Sequence, residues 1–255
     1  MQPILPSPGL KPFVKAYRII ESVAGTINRI LPDTSVAMAF RYQGEIGYVT
    51  ESGKIQLPIA TLSGLRKSAR LINYAPNSAA FIVIFKEAAA SSFLREPAHH
   101  LFGESVALDN FFSQSEILCV EEKLALAVNH HERVKIVEEF LYARVQQKQP
   151  DLLVAEAISR IRNNRGIIKV SNLANSLAIS KDAFEKRFRK TTGASPKQFA
   201  SIVRLKSLIE NKSAHSSLLD LAFNHGYYDQ AHFSKDFKLF TGQTPSEFFR
   251  SSLFW

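Results

Sequence analysis

The rhythm of apolar positions changes near Glu87. Before it, short runs of β-branched and aromatic residues predict strands: Ser35-Val-Ala-Met-Ala-Phe-Arg-Tyr, Lys54-Ile-Gln-Leu-Pro-Ile-Ala and Ala79-Ala-Phe-Ile-Val-Ile-Phe. Residues 28–33 and Glu51-Ser-Gly read as breaks between them. Strands of this spacing suit a small antiparallel sandwich or barrel. After Glu87, apolar residues recur every three or four positions, which predicts a short helix over 88–94 and longer ones over 115–128 and 132–145. Val134, Val137, Phe140 and Leu141 form a stripe wide enough to cover a sheet or a second subunit. Residues 146–150 are polar, end in proline and read as a linker, dividing the chain into 1–148 and 151–255. Everything beyond is helical in pattern, beginning with an apolar face over 152–161 that Asn163-Asn-Arg-Gly stops. The expected class is α+β, a β-rich barrel or sandwich with helices followed by an all-α domain.

The all-α part is a tandem duplication. Phe184, Phe188, Gly193, Pro196 and Phe199 recur 49 residues later as Phe233, Phe237, Gly242, Pro245 and Phe248. Leu173 and Ala174 recur 48 residues later as Leu221 and Ala222, so the one-residue change falls in a turn, where an insertion is best tolerated. Each copy has a short helix, a tight turn and a second helix, the order of a helix-turn-helix unit, over 170–191 and 218–240. In the first copy, 170–177 leads with Ser171 as its N-cap, Ala178-Ile179-Ser180 turns, and Ser180 caps 181–191. In the second, 218–225 leads, Gly226 permits a left-handed turn, and Asp229 caps 230–240.

Phenylalanines four apart face the core together. That turns Lys181, Asp182, Glu185, Lys186 and Arg189 outward in one second helix, and Gln230, Ala231, Ser234, Lys235 and Lys238 in the other. These types suit a major groove: lysine donates to guanine, glutamine pairs with adenine, carboxylates accept from cytosine, and alanine meets a thymine methyl. Arg189, Lys190, Lys197 and Lys238 suit backbone phosphates, although any one lysine reads equally well as a solvated face. Between the copies, 196–211 makes a helix of about 16 residues, roughly 24 Å long. As a rigid spacer it would set two recognition helices into successive groove faces about 34 Å apart.

Charge agrees with this division. Of a net +9, residues 151–255 hold 16 Lys and Arg against 9 Asp and Glu, and the first 150 hold 16 against 14. A basic half joined to a near-neutral half suggests a polyanion-binding domain with a partner domain. The hydrophobic fraction of 45% supports a sizeable core. Cys119, the single cysteine, excludes an internal disulfide and a cysteine-rich metal site, and its apolar-periodic surroundings read as those of a buried thiol. The first ten residues carry Pro3, Pro6 and Pro8 without a basic run and apolar core, so no signal peptide is expected. No apolar run approaches the ~20 residues of a membrane span, and a cytoplasmic location follows by default. An enzyme is not expected: His99-His100 and His130-His131 are adjacent pairs whose members diverge on a helix, and they lack spaced carboxylate partners. There is no glycine-rich phosphate loop, and Cys119 alone makes no repair centre. No cofactor or metal is expected.

The frame Leu173-Ala174, Ser180, Phe184, Phe188-Arg189, Gly193, Ser195-Pro196, Arg204-Leu205, then Asp220-Leu221-Ala222, Gly226-Tyr227, Asp229, His232-Phe233, Phe237-Lys238, Gly242 and Thr244-Pro245 resembles the AraC/XylS family of transcription regulators over about residues 167–249. The chain departs from the family pattern at Tyr227-Tyr228 and at His232. The resemblance implies two helix-turn-helix subdomains joined by a linker helix, double-stranded promoter DNA as partner, RNA polymerase as a second partner, and activation of transcription. It also implies an amino-terminal half that senses a small-molecule effector or forms a homodimer. Leu31-Pro-Asp-Thr and Ala98-His-His-Leu-Phe-Gly-Glu-Ser-Val-Ala-Leu-Asp resemble more loosely a barrel-like domain of that kind, with no ligand assigned. The alternative is a regulator that acts through protein partners with a weak DNA face.

Overall fold

The computed structural model describes residues 3–94, 96–146, 149–212 and 217–250. Its amino-terminal half is built from β1 (Val14–Ser22), β2 (Thr26–Ile30), β3 (Ala37–Gln43), β4 (Ile46–Thr50), β5 (Gly53–Gln56), β6 (Ala60–Ser63), β7 (Arg70–Tyr74), β8 (Ser78–Phe85) and β9 (Ser105–Ala107). They form two antiparallel sheets, ordered β1-β8-β3-β6-β9 and β2-β7-β4-β5, that do not close into a barrel. The expected run over 54–60 is two strands rather than one. Pro58 brings no N–H to a ladder, so β5 ends before it and β6 starts after it, in the other sheet. Residues 28–30, expected as a break, belong to the mostly exposed edge strand β2. Glu51 and Ser52 form the expected turn, a two-residue connection between β4 and β5.

One face of the larger sheet carries Tyr17, Ile19, Met38, Phe40, Leu62, Phe81, Val83 and Phe85, all buried. Strand alternation places them together, and α1 (Gln114–Leu126) and α2 (His130–Tyr142) cover them. The stripe of α2 settles on the sheet: Val137, Phe140 and Leu141 are buried, and Phe140 meets Phe40 edge-on with ring centroids 5.4 Å apart. Ser113 opens α1 with a capping box to Glu116. The buried face of α1 is Ile117, Val120 and Leu124. Cys119 lies off that face and is exposed, contrary to the buried thiol expected. The short helix near residue 88 is a 3-10 turn, Ala89–Ser92, and a second such turn spans Ala98–Leu101. Of the expected linker, Gln147 and Lys148 lie outside the described residues.

The carboxy-terminal half contains α3 (Leu152–Asn163), α4 (Val170–Ser176), α5 (Lys181–Thr192), α6 (Pro196–Glu210), α7 (Leu218–Asn224), α8 (Gln230–Thr241) and α9 (Pro245–Arg250). Asp151 caps α3 through Val154 N–H, and Val154, Ala157, Ile158 and Ile161 bury its apolar face. After α3 the chain turns through left-handed Arg165 and Gly166. A side chain on Gly166 would run into the Ala200 carbonyl of α6, so only glycine fits there. One contiguous cluster of buried apolar side chains runs from the larger sheet through α1 to α3 and on to Phe248 in α9.

Candidate nucleic-acid interface

Each copy of the repeat builds the same joint from the same backbone bonds. In the first, Leu177 and Ile179 N–H both donate to the Ala174 carbonyl, at 3.1 and 3.2 Å, and Ala178 N–H donates to Asn175 at 3.0 Å. In the second, His225 and Tyr227 N–H donate to Ala222, both at 3.1 Å, and Gly226 N–H donates to Phe223 at 2.9 Å. Ala178 and Gly226 therefore hold equivalent places, and both are left-handed, with φ of 53° and 74°. The extra residue of the second copy falls immediately after this joint, at Tyr228, which is 90% exposed.

The second helices repeat as closely. Ser180 Oγ accepts Ala183 N–H and Asp229 Oδ1 accepts His232 N–H, capping α5 and α8 as expected. Ser171 is not the cap of α4: Lys169 holds that place with no side-chain bond, and Ser171 lies inside the first turn. Phe184, Phe188, Phe233 and Phe237 are buried as the four-residue spacing requires. At the far ends, Gly193 and Gly242 take left-handed turns with φ of 88° and 78°. Buried Thr192 and Thr241 hydroxyls donate back to the Phe188 and Phe237 carbonyls, each at 2.9 Å. Ser195 with Gln198 and Thr244 with Glu247 then form matching caps for α6 and α9. These threonine locks and the reciprocal roles of Gln198 and Glu247 went unread in the sequence, although Thr192/Thr241 and Ser195/Thr244 share the 49-residue offset.

Lys181, Asp182, Lys186 and Arg189 are exposed on α5, with Glu185 half-buried beside them. Gln230, Ala231, Lys235 and Lys238 are exposed on α8, with Ser234 half-buried. Lys190 and Lys197 are exposed as well. On this face Lys181 and Glu185 approach at 3.9 Å, a loose surface pair of small energetic weight. Other basic side chains serve the scaffold. Arg187 bonds Asp151 at 2.7 Å, and burial alone would raise that carboxyl, yet Arg187 holds it below the usual carboxylate range. Arg204 of α6 reaches Asp236 of α8 at 3.2 Å and lies 4.2 Å from the Tyr227 ring centroid, fastening the linker helix to the second unit. The 15 residues of α6 give a spacer of about 22 Å.

Residues 173–251 match a helix-turn-helix domain family. The carboxy-terminal part is an AraC-type helix-turn-helix domain. Residues 2–107 match a family described as a domain of unknown function, DUF6597. Among curated proteins, the chain is 27% identical to an Msm operon regulatory protein of Streptococcus mutans over 54% of this chain and 51% of that protein. It is 25% identical to an uncharacterized HTH-type transcriptional regulator of Haemophilus influenzae over 61% of this chain and 52% of that protein. The match thus spans about half the length of these relatives. Among solved structures, ToxT from Vibrio cholerae is 11% identical with a TM-score of 0.48, covering 91% of this chain and 96% of that one.

The far ends of both candidate reading helices of the AraC-type domain rest on the amino-terminal half. Arg29 of β2 donates to the Thr241 carbonyl at 2.8 Å, and Ala69 N–H donates to the Phe240 carbonyl at 2.9 Å. A cation at the carboxyl end of α8 opposes the helix dipole favourably. The end of α5 meets the 3-10 turn Ala98–Leu101, so close that a Cβ on Gly193 would stand 2.9 Å from the Ala98 carbonyl. Lys206 of α6 bonds Asp33 at 2.7 Å, and Arg162 of α3 bonds Glu87. No pattern in the sequence pointed to these contacts, since they join residues 75 to 212 positions apart.

Proposed function

We propose that this chain is a sequence-specific DNA-binding regulator of transcription, an activator, in which α5 and α8 read unlike parts of one promoter site. The single observation that carries this is the duplicated joint: two equivalent units present differently substituted exposed helices at the ends of one rigid spacer. The base-edge readers are Lys181, Asp182, Glu185 and Lys186 in one helix and Gln230, Ala231, Ser234 and Lys235 in the other, while Arg189 and Lys238 take phosphates. Residues 151–255 are the DNA-binding domain. Residues 1–148 are the controlling domain, through a small-molecule effector or a homodimer. RNA polymerase is the partner through which activation would work. The relatives named as regulators support the reading, as does the concentration of net positive charge after residue 150.

Fluorescence-anisotropy titration of the full chain with labelled random duplex DNA at two salt concentrations tests it. Counterion release predicts that affinity falls about 0.9 decades per decade of salt for each phosphate contacted. A folded chain with no salt-sensitive DNA binding would overturn it.

A further inference from the structure

Between joint and cap the two copies of the repeat differ by one residue. In the first, Ile179 N–H closes the joint and Ser180 caps α5 directly. In the second, Tyr227 closes the joint, and Tyr228 stands between it and the cap Asp229. An apolar residue just before a cap commonly packs against the fourth residue of the helix it opens. Ile179 serves in this way, packed against the core that holds Phe184. In the second copy the task has passed to Tyr227, which is 2% exposed and meets the Phe233 ring with centroids 5.3 Å apart.

Tyr228 is thereby left without a structural task. It is 90% exposed, and among the described residues its side chain makes no hydrogen bond and no ring contact. His232, which also departs from the family pattern, turns back to the scaffold, its ring 5.3 Å from that of Tyr227 and its Nε2 3.6 Å from Asp236. Of these departures Tyr228 alone faces solvent, and it adjoins Gln230 and Ala231, the exposed first residues of α8. The N-terminal residues of a reading helix are the ones that reach base edges. An aromatic ring finds one apolar partner there: every base pair offers donors and acceptors in the major groove, and only thymine adds a methyl group. Burying that methyl against a ring is favourable and neutralises no phosphate, so unlike a lysine contact it releases no counterion.

We propose that Tyr228 is a specificity-determining residue of the second reading unit, its ring packed on the methyl group of a thymine beside the bases that α8 reads. The proposal rests on reading α8 as a DNA-reading helix and adds to it a contact that the first unit lacks. Because the first copy has no residue at this place, the thymine preference belongs to one part of the site only and marks which way the chain lies on the duplex.

Anisotropy titration of the full chain tests this on a site selected from random duplexes, each thymine replaced in turn by deoxyuridine, which lacks only the methyl. Replacing one thymine should weaken binding about fourfold, the contribution of one buried methyl group. Tyr228→Ala should weaken binding to the unmodified site by at least that factor at an unchanged salt slope, and should make that position indifferent to deoxyuridine. Tyr228→Phe should bind as the unaltered chain does. Circular dichroism and urea midpoints should not change in either variant, since the side chain is exposed. A Tyr228→Ala chain that binds like the unaltered one overturns the proposal. So does one that keeps its full sensitivity to the methyl, which Ala231 would then be reading. A loss in Tyr228→Phe as large as in Tyr228→Ala also overturns it, in favour of the hydroxyl on a phosphate. A chain that selects no site sinks the regulatory reading and this contact together, whereas one that selects a site and ignores Tyr228 sinks this contact alone.

Discussion

The two turns of the duplicated unit make a matched pair for mutation, because one backbone shape is held by alanine in one copy and glycine in the other. Ala178 at φ 53° bears the crowding that a Cβ meets in the left-handed region, about 1–2 kcal/mol. Ala178→Gly removes that crowding and returns about 0.4–1 kcal/mol of freedom to the unfolded chain. The net expectation is a gain of about 0.5–1 kcal/mol, from the difference of those two terms. Gly226→Ala runs the other way and meets a further obstacle, since the new Cβ would stand 3.1 Å from Ile167 Cγ2. Its expected loss is about 1–2 kcal/mol. Urea unfolding of the full chain reads both as midpoint shifts at unchanged slope. An alanine-to-glycine change in an ordinary helix would instead lose about 1 kcal/mol. If Ala178→Gly loses stability by that amount while Gly226→Ala leaves it unchanged, the two joints do not share one geometry and the structural equivalence of the repeats fails.

Other expectations follow from the same geometry. Phe188→Ala and Phe237→Ala should each cost about 3–5 kcal/mol in urea unfolding, since both rings are fully buried and stacked edge-on with neighbouring rings; losses under about 1 kcal/mol would mean these pairs do not anchor the units. Burial alone would raise the Asp33 carboxyl, but Lys206 holds it below the usual carboxylate range, so its stabilising share is complete above about pH 3.9 and fades as pH falls through the lower folded value. Asp33→Asn should flatten the loss of stability below about pH 4, measured as urea midpoints against pH, and an unchanged acid limb would contradict the pairing. Cys119 is exposed on α1, so one equivalent of Ellman's reagent should react with the native chain without unfolding; a thiol protected until urea is added would contradict its placement.

The helical half was legible because its sequence is written twice. The 48- and 49-residue offsets alone mark both joints, both phenylalanine pairs and the caps Ser180 and Asp229. Ser171 misled because a serine at a helix start is a good cap only when the residue itself is non-helical, and here the chain enters the helix one residue earlier. The sheets were less legible. β1, β4, β7 and β9 went unread, and the open edge strand β2 carries exposed Ile27 beside polar residues, which hides the alternation on which strand reading depends. Cys119 shows the limit of a stripe on a short helix: two positions from Ile117 is about 200° around the axis, enough to leave the core. Nothing local could show that Arg29, Ala69 and Ala98 meet the ends of α8 and α5. Such contacts depend on how two separately patterned halves pack, and that information is spread over the whole surface.

The candidate readers tie the account to DNA most directly through Lys186 and Lys235, exposed at equivalent places on α5 and α8. The decisive measurement is quantitative footprinting of the full chain, Lys186→Ala and Lys235→Ala on a site selected from random duplexes, at two salt concentrations. If each lysine contacts a base, each substitution costs about 1–3 kcal/mol and relaxes preference at one position, in a different part of the site for each helix. If each contacts a phosphate, binding weakens evenly across sequences and the salt slope shrinks by about one unit. Either result places the helices on DNA, and the account predicts the first. Unchanged affinity, base preference and salt slope in both variants would contradict it, because α5 and α8 would then not be the helices that read DNA.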